Sequence, residues 1–191
     1  MLQNEISIKK KRGLYFIKDG ENNLKRFTPW LGDVFSPLYD SFMERSVFPK
    51  KFGSNIDHHY EVLSRSLEGV HGKQVLELAT GNGSAVQFLS PDNTYIGTDI
   101  SPGLLRKAAR RFQEAGFAEA DFYVVSADNL PFEDGRFEVC LCMLSFNFFP
   151  NVKAVLKEVK RILRINGLFF CSVPVPEKKE TQSPIRGKLY S

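Results

Sequence analysis

Residues 75–83, Val-Leu-Glu-Leu-Ala-Thr-Gly-Asn-Gly, form an apolar run that opens into a glycine-containing turn. Its aliphatic residues are typical of a parallel strand that is buried on both faces. Gly81 and Gly83 allow a sharp turn and a close approach of the backbone to a ligand, because neither has a Cβ. Residues 84–89 then predict a helix start whose free N–H groups face the same space. This order of strand, loop and helix predicts a site for a nucleotide-like ligand.

Glu77 places an acid inside the apolar strand. Burying a carboxylate costs free energy unless it is paired or hydrogen-bonded, so we expect a ligand or the neighbouring loop to interact with Glu77. The stretch resembles the first motif of the class I S-adenosylmethionine-dependent methyltransferases, an acid followed by glycines at alternate positions. Ala79 stands where that family usually has its first glycine. Nicotinamide-dependent dehydrogenases carry G-x-G-x-x-G here, but Val86 occupies the third glycine position and the acid lies upstream, which favours the methyltransferase reading.

Strand and helix patterns alternate after this loop. Apolar runs predict strands at 94–98, 121–125, 137–144 and 167–173, and amphipathic stripes predict helices at 101–116 and 151–163. Such alternation predicts an α/β fold with a doubly wound, parallel sheet. The resemblance to the methyltransferases covers about residues 73–174 and implies their Rossmann-like sheet, with about five parallel strands in the order 3-2-1-4-5. Their C-terminal helix and two further strands have no counterpart in the polar residues 175–191.

The edge strand that this arrangement implies is apolar, so we expect one of three outcomes: the N-terminal hairpin covers it, two chains associate through this fifth strand, or the protein is marginally stable and aggregates. Three regions are therefore predicted. Residues 1–70 form a layer over the acceptor side, with hairpin strands at 6–8 and 14–17 and helices at 37–47 and 55–67. Residues 71–174 form the core that binds S-adenosylmethionine, and residues 175–191 form a polar tail.

The net charge of +4 comes from residues 1–56, with its densest run at residues 9–12, Lys-Lys-Lys-Arg. Such a run touches nucleic acid or an anionic surface, or it is a solvated hairpin turn. The flanking strand pattern favours the turn, so nucleic acid is not an expected partner.

The resemblance implies a cofactor-binding role for residues at several strand ends. Asp99 is expected to accept hydrogen bonds from both ribose hydroxyls, and Ile100 to lie against the adenine. The segment 126–132 is similar to the family's D-A-x-x-L-P-F motif, with Ser126 at the position of the acid and Ala127 at that of the backbone contact. Either Ser126 replaces the acid or a shifted loop brings in Asp128. The remaining expected contacts are Glu77, Ala79, Gly81, Asn82, Gly83 and Met143.

The sequence shows no Ser-His-Asp arrangement and no carboxylate pair at a spacing that would indicate a catalytic site. Methyl transfer needs mainly the positioning of an acceptor. Either His58 or His59 could act as a base toward the acceptor, which is expected to be small or lipid-like. The alternative is that both are surface or capping residues. Ser145 and Asn147 are expected to face the acceptor side or to satisfy backbone groups. The catalytic residues therefore stay unassigned.

The three cysteines, Cys140, Cys142 and Cys171, lie in strand-like runs and predict reduced, buried thiols without a metal site. No apolar run is long enough for a membrane helix, and we expect a cytoplasmic protein. The leading hypothesis is a methyltransferase. The alternatives are a non-catalytic or truncated protein of the same fold that binds the cofactor or a partner, and a nicotinamide-dependent reductase.

Overall fold

The computed structural model describes residues 2, 6–18, 23–24, 27 and 56–173. These residues form one sheet of seven strands, flanked by helices on both faces. The strands are β1 (Ile8–Lys11), β2 (Leu14–Ile17), β3 (Gln74–Leu78), β4 (Thr94–Asp99), β5 (Ala120–Val124), β6 (Phe137–Met143) and β7 (Leu163–Ser172). The helices are α1 (Ile56–Leu67), α2 (Pro102–Glu114) and α3 (Val152–Ile162), with short 3-10 helices at Ser84–Gln87 and Phe146–Phe148.

The sheet has the order β1-β2-β5-β4-β3-β6-β7. Its five strands from β5 to β7 run parallel in the predicted order, so the doubly wound α/β prediction is confirmed. The predicted number of five strands is wrong, because the N-terminal hairpin adds two. β2 pairs in parallel with β5, and the rings of Tyr15 and Tyr123 stack with their centroids 4.6 Å apart.

The hairpin therefore lies at the edge opposite β7, and the expectation that it covers the fifth strand of the core is wrong. Among the described residues, no strand pairs with the second side of β7. Leu168 and Val173 on or next to this strand are exposed. Self-association through β7 stays a prediction.

The basic run lies in β1 rather than in the predicted turn. Strand β1 begins two residues later than expected and includes Lys9 to Lys11, while Arg12 and Gly13 alone make the turn. Both turn residues have positive φ, 52° and 80°, as a tight two-residue hairpin connection requires. Lys10 donates to the Tyr15 hydroxyl at 2.9 Å and lies over its ring, which places that charge along the hairpin.

Helices α1 and α2 pack on one face of the sheet and α3 on the other. On the first face, Leu67 of α1 and Leu105, Ala108 and Phe112 of α2 pack with Val75 and Tyr95 of the sheet. On the second face, Val155, Val159 and Ile162 of α3 pack against alternate residues of β3 and β6. Helix α2 begins as predicted, since the Ser101 hydroxyl accepts a hydrogen bond from the Leu104 N–H at 3.2 Å.

The helix predicted after the glycine loop is only the 3-10 helix Ser84–Gln87. No side chain caps its N-terminus, where Gly83 is left-handed. The chain turns back at Asn93, whose buried amide donates to the Val70 and Ser90 carbonyls and accepts from the Lys73 N–H, all at 2.8 Å. Asn93 thus fixes the path of the chain between this short helix and β4.

Strand β7 begins four residues earlier than predicted, because α3 passes into it without a loop. Its pairing with β6 shifts between Phe137, opposite Leu163, and Val139, opposite Leu168. Asn166 takes up the irregularity with a φ of 65°, a conformation that asparagine tolerates better than most residues.

The predicted helix at 37–47 and the tail at 175–191 lie outside the described residues. Within the described part of the chain, no helix is both long enough and apolar enough to cross a membrane.

Candidate functional site at the carboxyl edge of the sheet

The carboxyl ends of the parallel strands β3, β4 and β6 meet at one edge of the sheet, where ligands of doubly wound folds bind. After β3 the chain turns through Ala79, Gly81 and Gly83, with φ of 50°, 59° and 82°. Leu144, directly after β6, also has a positive φ of 55°. Two of these four left-handed residues carry side chains, so backbone strain of about 1–2 kcal/mol each is concentrated at this edge.

The two loop glycines serve different purposes. A Cβ on Gly83 would lie 2.8 Å from both Cα and Cβ of Ala108 in α2, so this glycine is needed for packing. A Cβ on Gly81 would meet only the Ala79 carbonyl oxygen, at 3.9 Å. The space beside Gly81 is therefore open, as the close approach of a ligand requires.

Glu77 is buried, with only 2% of its surface exposed, and one of its partners is a side chain that the sequence reasoning missed. The Tyr95 hydroxyl of β4 donates to Glu77 Oε2, and Thr80 of the neighbouring loop also hydrogen-bonds this carboxyl, so the expected loop contact is present beside an unexpected one from β4. Register explains the contact: Glu77 lies opposite Gly97, which has no side chain, and Tyr95 points from the same face. Counting the pleat of two paired strands would have brought these residues together.

The net pKa of the Glu77 carboxyl is raised to about 8, chiefly by burial; the hydrogen bond from Tyr95 opposes this rise, and the neighbouring Asp99 adds to it. Glu77 is therefore mainly protonated at neutral pH. Burial also raises the pKa of the Tyr95 hydroxyl well above its usual value. The pair is a neutral, hydrogen-bonded support beneath the loop.

Asp99 ties β4 to the glycine loop. Its Oδ2 accepts a hydrogen bond from the Gly81 N–H at 2.9 Å, and its Oδ1 accepts one from the Ser101 N–H at 2.8 Å. Each carboxylate oxygen has further acceptor capacity, so Asp99 can still accept from hydroxyl groups. The structure thus brings together the predicted loop and the predicted ribose-binding acid. The neighbouring Ile100 is partly exposed.

The segment after β5 continues this edge. The Val125 N–H donates to the Asp99 carbonyl at 3.0 Å, so the segment lies beside β4. Ser126 is partly exposed, Ala127 is buried and Asp128 is exposed. The Asn129 N–H donates to the Ser126 carbonyl at 3.2 Å, which closes a turn around Ala127 and Asp128.

The end of β6 borders a second concavity. Met143 lines a cleft of about 110 Å³ together with Phe170 of β7 and His59, Val62 and Leu63 of α1. His59 is partly buried, and this burial lowers the pKa of its imidazole, whereas His58 is exposed. The cleft is therefore largely apolar, with a neutral imidazole in its wall.

Three other residues near this cleft were also singled out in the sequence. The Ser145 hydroxyl donates to the Met143 carbonyl at 2.9 Å and so satisfies a backbone group, while Asn147 is exposed. Cys171 is exposed on the edge strand β7, which corrects the expectation of a buried thiol, whereas Cys140 and Cys142 are buried. Within the described residues, no group of three or more His, Cys, Asp or Glu is placed to hold a metal ion.

The residues present suit an adenosine-containing cofactor. An acceptor for hydroxyl groups at Asp99 and open space beside Gly81 lie together, and the Ser126 segment continues the same edge. A dinucleotide would need a second mononucleotide-binding half, for which the strand order offers no second glycine loop within the described residues.

A family model described as a methyltransferase domain matches residues 76–171, about half of the chain. Phthiotriol/phenolphthiotriol dimycocerosates methyltransferase from Mycobacterium tuberculosis is 30% identical over 146 residues, 75% of this chain and 51% of that protein. Demethylmenaquinone methyltransferase from Thermotoga maritima is 31% identical over 144 residues, 73% of this chain and 58% of that protein. Among solved structures, the YcgJ protein from Bacillus subtilis is 27% identical with a TM-score of 0.54, covering 59% of this chain and 49% of that one. The chain spans about half the length of the curated relatives it matches.

Proposed function

Because the chain belongs to the methyltransferase-domain family, we propose that it binds S-adenosylmethionine at the carboxyl edge of the sheet and transfers its methyl group to a small or lipid-like acceptor. The observation that carries the proposal is the link between the glycine loop and Asp99, whose Oδ2 accepts from the Gly81 N–H at 2.9 Å. This link holds a hydroxyl-binding carboxylate beside a loop with open space for a ligand.

Each strand end has its own part in holding the cofactor. Asp99 accepts from the ribose hydroxyls with its remaining lone pairs. Ile100 and the turn at Ser126 and Ala127 bind the adenine, with Asp128 as the alternative to Ser126. The residues of the first loop, from Ala79 through Asn82 to Gly83, hold the amino-acid part, while Glu77 and Met143 border it.

The cofactor supplies an activated methyl group on a positively charged sulfur, and the protein's task is to hold an acceptor in line with it. Positioning of this kind can contribute about 7–11 kcal/mol of the barrier. The apolar walls of the cleft exclude water from the acceptor. Burial lowers the pKa of the His59 imidazole, which keeps the ring unprotonated and so available to accept a proton from an acceptor hydroxyl.

The acceptor's apolar part occupies the cleft between α1 and the ends of β6 and β7. The walls of this cleft are mainly apolar. The two relatives are named for lipid-like acceptors, phthiotriol/phenolphthiotriol dimycocerosates and demethylmenaquinone, which agrees with such walls.

Val62→Lys tests the cleft, since Val62 is 49% exposed and its replacement disturbs little of the core. The lysine places a charge in the apolar cleft, so methyl transfer to an apolar acceptor should fall while binding of S-adenosylhomocysteine stays unchanged. Ser64→Lys, on the exposed surface of the same helix, is the matched control. Equal activity of both variants would contradict the placement of the acceptor.

Calorimetric titration with S-adenosylmethionine, S-adenosylhomocysteine and NAD tests the function itself. We expect binding of the first two and none of NAD. Incubation with methyl-labelled S-adenosylmethionine and a quinol or a fatty acid then tests transfer. Binding without transfer to any acceptor would favour the alternative, a non-catalytic protein that binds the cofactor and serves an interaction.

A further inference from the structure

Arg161 of α3 uses all five of its N–H donors, two on Glu158 of the same helix and three on the segment 130–134. Its Nε and Nη2 donate to the two carboxylate oxygens of Glu158, at 2.9 and 2.7 Å. Nη2 also donates to the Leu130 carbonyl at 3.1 Å, and Nη1 donates to the Phe132 carbonyl at 2.6 Å and to Asp134 Oδ1 at 2.8 Å. A guanidinium with a complete set of partners is held in one orientation.

Glu158 also binds the segment 130–134, through the backbone of Leu130. Its Oε2 accepts a hydrogen bond from the Leu130 N–H at 2.8 Å, so the ion pair holds both the N–H and the carbonyl of one residue. The side chains of Glu158 and Arg161 are only 15% and 20% exposed, which makes their charge-assisted hydrogen bonds stronger than those of a surface pair. Burial favours a higher pKa for Glu158, but the hydrogen bonds from Arg161 and from the Leu130 N–H outweigh it and lower the pKa, while the bonds to Glu158 raise the pKa of Arg161.

The segment that the pair holds follows directly on the candidate adenine turn. Residues 126–132 form no helix or strand, so their conformation depends on contacts with the rest of the fold. Asp99 holds the near end through the Val125 N–H, and the ion pair holds the far end at Leu130 and Phe132. The turn at Ser126 and Ala127 lies between these two anchors.

A second ion pair provides a comparison. Glu138 accepts from the Gln74 N–H at 3.1 Å and pairs with Arg164 at 2.7 Å, and its side chain is 16% exposed. Glu138 thus resembles Glu158 as a largely buried carboxylate that accepts a backbone N–H and pairs with an arginine. Its partner Arg164 is more exposed than Arg161, and Lys73 is a further partner. Glu138 and Gln74 lie at the starts of β6 and β3, at the amino edge of the sheet and away from the candidate site.

We propose that Glu158 and Arg161 are positioning residues for adenine recognition: they set the conformation of the Ser126–Ala127 turn and thereby its selectivity for the adenine 6-amino group. This inference rests on the proposed function, because it assigns the pair to the same cofactor site. The pair acts through the backbone of residues 130–132 and does not itself touch the cofactor.

The test compares the binding of S-adenosylhomocysteine and S-inosylhomocysteine, which carries an oxygen in place of the 6-amino group. The wild-type protein should prefer S-adenosylhomocysteine. Glu158→Gln and Arg161→Lys should each weaken its binding by about threefold to tenfold, the size of one hydrogen bond, and change the binding of the inosyl analogue by less than about twofold. Glu138→Gln, the matched control, should leave the preference unchanged.

The preference between the two ligands separates positioning from general stability. The inference would be overturned if the Glu158 and Arg161 variants lost affinity for both ligands equally. It would also be overturned if the Glu138 variant lost the preference to the same extent. Either result would leave the proposed function intact. A wild-type protein that binds both ligands equally would also overturn the inference. A wild-type protein that binds neither would overturn the proposed function and the inference together. Glu158→Gln is the milder change and serves if Arg161→Lys does not fold.

Discussion

Replacement of Glu77 by glutamine should change how the stability of this protein depends on pH. The Glu77 carboxyl has a folded-state pKa of about 8, against the ordinary value of 4.5 for a glutamate in the unfolded chain. The folded protein therefore binds the Glu77 proton more tightly than the unfolded chain does. This difference in proton binding stabilises the folded protein fully below pH 4.5, and the stabilisation is lost as the pH rises through 8.

The size of the effect follows from this difference in pKa. Between the two values the free energy of unfolding should fall by about 1.4 kcal/mol per pH unit, or about 4 kcal/mol from pH 5 to pH 8. Glutamine has nearly the same shape and no charge, and it can still accept the hydrogen bond from Tyr95. The Glu77→Gln variant should therefore lack this slope and exceed the wild type in stability at pH 8.

Urea unfolding followed by circular dichroism at pH 5, 6, 7 and 8 measures this difference. The lowered pKa of His59 acts in the opposite direction over part of this range, but it is present in both proteins and cancels in the difference. Tyr95, Thr80 and Asp99 also influence the carboxyl, and they too are common to both proteins. Parallel curves for wild type and variant would refute a protonated Glu77 at neutral pH.

Further substitutions test the supports of the site by urea unfolding at pH 7. Tyr95→Phe should destabilise the fold by about 1–3 kcal/mol, because the buried Glu77 loses its partner, and an unchanged midpoint would contradict the pairing. Gly83→Ala should cost about 2–4 kcal/mol through positive φ and a clash with α2, whereas Gly69→Ala, with no atom near its added Cβ, should cost little. Ala79→Gly should stabilise by about 0.5–1 kcal/mol by relieving a left-handed alanine, and a loss of stability would argue against that conformation.

Periodicity predicted the core of the fold well because its strands are apolar and its helices are amphipathic. The alternation of strands and helices predicted the parallel sheet, and the resemblance to the methyltransferases implied the order of its five core strands. The ends of elements were harder to predict. Residues 84–89 have apolar character without a cap, and only the structure shows that the helix is limited to Ser84–Gln87.

Long-range contacts were beyond sequence reasoning. The hairpin pattern was visible, but a hairpin can add to either edge of a sheet, and the stacking of Tyr15 on Tyr123 decides which. In the site, Asp99 and the glycine loop were predictable because both follow strands that end at the same edge. Predicting the hydrogen bond between Glu77 and Tyr95 requires knowledge of the register between β3 and β4. The hydrogen bonds of Arg161 to residues 130–134 depend on how α3 packs against the sheet.

The most direct test of the central claim is calorimetric titration of S-adenosylhomocysteine into the wild-type protein, Asp99→Ala and Asp92→Ala. Asp92 is an exposed control in the loop that precedes β4, at the opposite edge of the sheet from Asp99. We predict that wild type and Asp92→Ala bind alike and that Asp99→Ala binds about 1.5–3 kcal/mol more weakly, through the loss of charge-assisted hydrogen bonds. Normal binding by Asp99→Ala, or no binding by the wild type at millimolar ligand, would contradict a cofactor site at this edge.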